Sequence, residues 1–154
     1  MITFSFRPSS GSTLPLIAAS VSTRVVSWNL GDPLGYSQED ISFEGVGIEY
    51  RIIAEDPDNR FTPSSGRIER FAWRGEPWLS MHTHVPTDTT YDIPTEFDPN
   101  LALGIVWGEN LKQARERGVD FLEHLVLDGS DSAGASLKTN VGFLREKTAR
   151  ILQF

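Results

Sequence analysis

Alternation is the first pattern along the chain. In "GIEYRII" (47–53), Ile48, Tyr50 and Ile52 fall on one face of an extended segment, and Glu49, Arg51 and Ile53 on the other. "RIERFAW" (67–73) and "WLSMHTHV" (78–85) read as further strands, and "LALGIVW" (101–107) as one by its continuous apolar run. "SVSTRVVSW" (20–28) has the β-branched content of another. "DPDN" (56–59) and "PSSG" (63–66) are turn chemistry, since proline presets its φ and glycine accepts positive φ. Residues 1–15 and 86–100 read as loop, and 31–40 as a turn-rich connector. Then the period lengthens. "ENLKQARERGVDFLEHLVLDG" (109–129) puts Leu111, Ala114, Gly118, Leu122 and Leu125 on one helical stripe, with Gly129 as the stop. "DGSDSAGAS" (128–136) reads as a flexible loop, and "TNVGFLREKTARIL" (139–152) as a second helix capped by Thr139 or Asn140. Strands first and helices last predict an α+β fold: a small antiparallel β-sheet followed by two C-terminal helices.

Composition narrows what such a fold could do. A chain of 154 residues is long enough for one domain with a real core. Fourteen basic against 21 acidic residues give a net charge of −7, which argues against a nucleic-acid partner held by phosphate contacts. Without cysteine there is no disulfide, thiolate nucleophile or Cys-based metal site. No apolar run is long enough for a membrane-spanning helix. The first carboxylate is Asp32, and the acid-free, Ser-rich, Arg-containing start has the composition of an organelle transit segment. An irregular extension or the start of a truncated reading frame gives the same composition. The expected organisation is an irregular, poorly packed extension over 1–30 and a folded domain over 31–154. The expected location is cytoplasmic, or organellar if residues 1–30 are a transit segment.

Candidate chemistry is sparse. His82 and His84 are two apart in a strand, a spacing that suits a metal, and His124 with Asp98 could complete a site. Yet these are all the histidines, and no H-E-x-x-H accompanies them, so a solvated or hydrogen-bonded strand face without metal is the expectation. No G-x-S-x-G elbow, G-x-x-x-x-G-K-[ST] loop or strand-borne G-x-G-x-x-G is present. Asp56 and Asp58 lack the calcium-loop pattern and read as turn residues. Glu49 and Arg51 remain. As strand neighbours they could form a surface ion pair contributing about 0–1 kcal/mol. Facing a developing oxyanion in a dry cleft, Arg51 could contribute about 2.7–4 kcal/mol to the transition state. Spacing leaves both readings open.

"FEGVGIEYRIIAEDPDNRFTPSSGRI" resembles the start of the biotin carboxylase C-terminal domain, whose pattern is close to G-H-A-I-E-x-R-I-x-A-E-D-P…F-x-P-S-x-G-x-I. The likeness continues in "DIPTEFDPNLALGIVWGEN", "ARERGVDFLEHLVLDG" and "LKTNVGFL", and covers about residues 31 to 145. It implies a ligase family that carboxylates the ureido nitrogen of biotin with ATP and bicarbonate, serving acyl-CoA, pyruvate or urea carboxylases. It makes Arg51 the catalytic group that stabilises the ureido oxyanion, Glu49 its structural partner and Asp98 a loop-architecture residue. Biotin would arrive on a carrier domain. ATP and Mg would act only through an ATP-grasp half, which nothing in the sequence resembles. The implied partners are that half or a full-length biotin carboxylase, the carrier domain, and a second copy in a homodimer. Val46 stands where the pattern has His, Leu103 where it has Lys, and Leu111 where it has Arg. The resemblance thus implies a chain inactive by itself. The alternative is a non-catalytic interaction or dimerisation module derived from the same domain.

Overall fold

The structure, a computed structural model, describes residues 2–3, 44–94 and 99–150. The expected strand at 20–28 and connector at 31–40 lie outside the described residues, and so does Asp98. The main sheet is antiparallel and takes the order β1 (Ile2–Thr3), β2 (Val46–Ile53), β8 (Asn100–Gly108), β6 (Leu79–Thr83). A short hairpin pairs β3 (Glu55–Asp56) with β4 (Thr62–Pro63). A second antiparallel sheet places β5 (Arg67–Ala72) between β7 (Tyr91–Asp92) and β9 (Val126–Ser130). Two helices complete the described fold, α1 (Leu111–His124) and α2 (Val141–Arg150).

The alternation in β2 decides how α1 packs. Ile48, Tyr50 and Ile52 are buried with Ala102 and Val106 of β8 and with Ala114, Phe121 and Leu122 of α1. The helix approaches closely because two glycines leave room for aromatic rings. A Cβ at Gly104 would collide with the Phe121 ring, and one at Gly118 with the Tyr50 hydroxyl. Ile68 and Phe71 of β5 extend the same core into the second sheet. Asn110 caps α1 by accepting from the Gln113 amide at 3.0 Å, and Gln113 Oε1 accepts from the Glu109 amide at 2.7 Å.

Several expectations change. The α+β class holds, but strand β9 lies between the two helices. The first helix ends at His124 rather than at Gly129. Gly129 is inside β9, where a Cβ would collide with the Arg67 carbonyl of β5, so its lack of a side chain serves strand approach and not a helix stop. Leu122 and Leu125 instead hand their carbonyls to Arg145 of α2, which donates to them from Nε at 2.8 Å and from Nη2 at 3.2 Å. The segment read as flexible loop is β9 up to Ser130, then a turn in which Asp131 Oδ1 accepts from the amides of Ala133 and Ala135. The expected loop segments contain two short strands: Ile2–Thr3 pair with Gly47 and Ile48, and Tyr91–Asp92 with Arg67 and Ile68.

Candidate active site

Register puts the charged residues of β2 on the sheet face away from α1. Arg51 pairs with Leu103, which pairs with His82; Glu49 pairs with Ile105, which pairs with Ser80. Residues directly opposite in antiparallel strands share a face. The result is a platform with half-buried Leu103 and Ile105 at its centre, Glu49 and Arg51 on one flank, and exposed Ser80 and His82 on the other.

Arg51 donates from Nε to Glu49 Oε1 at 3.0 Å. The Arg51 side chain is 63% exposed and that of Glu49 only 16%, so the carboxylate is the sheltered partner that ties down the stem. Among the described residues no other side-chain bond to the guanidinium is seen. A guanidinium presents a planar fork of donors. The arrangement can receive an anionic or developing-anionic oxygen.

The backbone beneath Arg51 is held from the side by Asn140. Its Nδ2 donates to the Arg51 carbonyl at 2.9 Å, and its Oδ1 accepts from the Ile53 amide at 3.0 Å. Its own amide donates to the Ile53 carbonyl at 3.1 Å. Asn140 does stand at the cap position of α2, since its carbonyl accepts from the Leu144 amide, but its side chain serves the strand. The Thr-Asn pair points to a helix start in sequence; the partner 87 and 89 residues away carries no local signal.

The three histidines are not brought together. His82 shares a hydrogen bond of 2.9 Å with Ser80 Oγ, and His84 stands edge-on to Tyr91 with ring centroids 5.5 Å apart. His124, at the end of α1, lies with Asp120 and Arg74. Among the described residues no group of three or more His, Asp or Glu could hold a metal ion. A shallow depression of about 300 Å³ beside β9 and α2 is lined by Asp128, Thr139 and Arg145, among others, and not by Arg51.

Comparison with known proteins converges on one family. Its model, described as the biotin carboxylase C-terminal domain, matches residues 49–150. A chloroplastic biotin carboxylase of Arabidopsis thaliana is 39% identical over 100 residues, 65% of this chain and 18% of that protein. A biotin carboxylase of Nostoc sp. is 35% identical over 113 residues, 73% of this chain and 23% of that protein. Among solved structures, the biotin carboxylase domain dimer of Hydrogenobacter thermophilus 2-oxoglutarate carboxylase, in complex with MgADP, ADP and bicarbonate, aligns with a TM-score of 0.68. Its identity is 34%, over 78% of this chain and 24% of that one. The biotin carboxylase subunit of a pyruvate carboxylase aligns at 0.71 with 29% identity, over 80% of this chain and 26% of that one. The chain spans about a fifth of the length of the curated relatives it matches. No helix among the described residues is long and apolar enough to cross a membrane.

Proposed function

The chain belongs to the biotin carboxylase C-terminal domain family, and on that premise we propose that it serves ATP- and bicarbonate-dependent carboxylation of biotin, with Arg51 as its catalytic residue. The observation that carries this reading is the posture of Arg51. It is anchored through Nε by a sheltered carboxylate and exposes the rest of its fork on an open sheet face.

Loss of the ureido N–H proton puts negative charge on the ureido oxygen of biotin before the nitrogen attacks the activated carboxyl carbon. A fixed guanidinium beside that oxygen stabilises charge that exists only on the way to product, which is where binding energy accelerates a step. Glu49 holds the guanidinium in place. By the family resemblance, Asp98 is a loop-architecture residue. The described residues do not fit a Mg site, since no acidic cluster is present, so nucleotide and metal chemistry belongs to an ATP-grasp portion beyond the matched region. Biotin arrives on a carrier domain. The dimer of the Hydrogenobacter relative supports a homodimer here, and the chloroplastic relative supports an organellar location if residues 1–30 act as a transit segment.

Grafting residues 45–150 into the Nostoc relative, in place of its matching segment, tests the assignment. ADP release dependent on biotin and bicarbonate should survive the graft. Arg51→Ala should cut it by about 10²–10³, as removal of one oxyanion donor does. Arg51→Lys should recover little, because an ammonium has no planar fork. An active graft indifferent to Arg51→Ala would remove Arg51 from the chemistry.

Leu103 favours a second reading. It stands directly across from Arg51, at the position where the family pattern has Lys. An apolar residue there suits a platform that meets a protein surface, as a non-catalytic interaction module would. A graft that folds and dimerises but turns over nothing, until Leu103→Lys restores it, would support this version.

A further inference from the structure

Among the described residues, strand cover on the edge of β2 that carries the Arg51 carbonyl is short. Among the described residues, β1 pairs only with Gly47 and Ile48, so beyond Ile48 no strand adjoins that edge. The other edge is irregular nearby, because the β2–β8 register shifts between Ile52 and Ile53. Such a strand end would fray, and the direction of a side chain follows its backbone. Arg51 lies one residue before the shift.

Asn140 occupies this edge as a stand-in for a neighbouring strand. Its carboxamide has the donor and acceptor of a peptide group, and both are used, on Arg51 O at 2.9 Å and on Ile53 N–H at 3.0 Å. The main-chain bond to Ile53 O closes the third contact. Asn140 is only 5% exposed, so water cannot replace these bonds if one is lost. Just past them, Ala54 N–H donates to Pro99 O at 3.0 Å, fastening the same strand end to β8's approach.

We propose that Asn140 is a positioning residue for Arg51: it fixes the 51–53 backbone so that the guanidinium is held on Glu49 and aimed across the open face. The catalytic meaning rests on the role assigned to Arg51 above; the positioning itself does not. An aspartate at 140 would keep the acceptor for Ile53 but replace the donor to Arg51 O with a repelling oxygen. Neither Ala nor Ser supplies both groups.

The test uses the full chain, ¹⁵N-labelled, with no substrate. Two Nε–Hε signals are followed: Arg51, assigned by its loss in Arg51→Lys, and Arg67. Arg67 is the internal control, held on Asp92 in the other sheet by bonds of 2.7 and 3.1 Å. In Asn140→Asp, water exchange at Arg51 should rise about tenfold, the scale of one lost buried hydrogen bond in a local opening equilibrium, with Arg67 unchanged. Asn140→Ala should do at least as much. Unchanged Arg51 exchange in a folded Asn140→Asp chain overturns the proposal. So does an equal rise at Arg51 and Arg67, or loss of folding in both variants, because each marks a residue of general stability. A null result here leaves the graft experiment intact, and a graft indifferent to Arg51→Ala leaves this one intact.

Discussion

Two adjacent residues of β2 meet opposite fates because a strand alternates its side chains. Arg51 is turned out, onto the platform. Tyr50 is turned in, 3% exposed, with its ring 5.9 Å from that of Phe121 and its hydroxyl against Gly118. Among the described residues that hydroxyl has no hydrogen-bond partner. Thr148 is near enough to temper the ionisation of the phenol, but the two hydroxyls do not meet bonding geometry; burial dominates and pushes the phenol up. A buried, unbonded hydroxyl is a cost, so Tyr50→Phe should leave the thermal midpoint at neutral pH unchanged or raise it. A fall of several degrees would mean that a real bond to Thr148 had been lost. The sign with pH follows from the raised value. Below about pH 10 the phenol is neutral in both folded and unfolded chains and has no pH effect. As pH rises further the unfolded chain ionises first, so stability drops. Tyr50→Phe should show a shallower alkaline loss than the parent in thermal melts between pH 9 and about 11. The in-and-out assignment of these two residues was legible in the sequence, since it needs only parity. The satisfied or unsatisfied state of the buried hydroxyl was not, because its neighbour Thr148 lies far along the chain on α2.

Whole elements were legible to the extent that their signals are local. The apolar alternation of 47–53 and the run at 101–107 gave strands within a residue or so of those seen. The end of α1 was missed because two signals conflict there. The helical stripe continues to Leu125, yet Val126–Ser130 pairs with β5, and tertiary pairing outweighs the pattern. Gly129 misled because glycine serves both helix stops and close strand contacts, and only the partner strand shows which applies. The device that does finish α1 comes from another element: Arg145 of α2 satisfies two terminal carbonyls and places its charge at the negative end of the helix dipole. Arg145→Ala should therefore cost about 1–2 kcal/mol, since charge-assisted bonds at a partly exposed site sit in that range. In a chain of this size that is about 2–4 °C of thermal midpoint per kcal/mol. Hydrogen exchange should quicken first at the amides of the last turn of α1 and not in β2. Exchange that quickens evenly across the fold would argue against a role at that helix end.

At the scale of the molecule, the proposed function makes the platform half of a site. One face of the main sheet is closed by α1; the other offers a guanidinium, a carboxylate, an imidazole and two aliphatic side chains. Phosphoryl transfer from ATP requires a cradle for the phosphates, carboxylates to hold the metal and a positioned nucleophile. The sequence has no glycine-rich phosphate loop, and the described residues hold no acidic cluster. In the role proposed for it, Arg51 acts only after an activated carboxyl group has been delivered beside it, because a guanidinium stabilises an oxyanion and makes no new bond. The 154-residue chain by itself should consequently release no ADP in the presence of ATP, Mg, bicarbonate and free biotin, at any biotin concentration. The rate should equal that of a blank and should not change in Arg51→Ala. The same residues grafted onto an ATP-grasp portion should turn over and become sensitive to that substitution. The contrast between the two settings is the informative quantity: a domain that supplies one donor to a shared transition state contributes nothing until the rest of the charge is in place. Biotin-dependent ADP release by the chain alone, abolished by Arg51→Ala, would mean that it carries a nucleotide site of a kind no phosphate motif in its sequence announces.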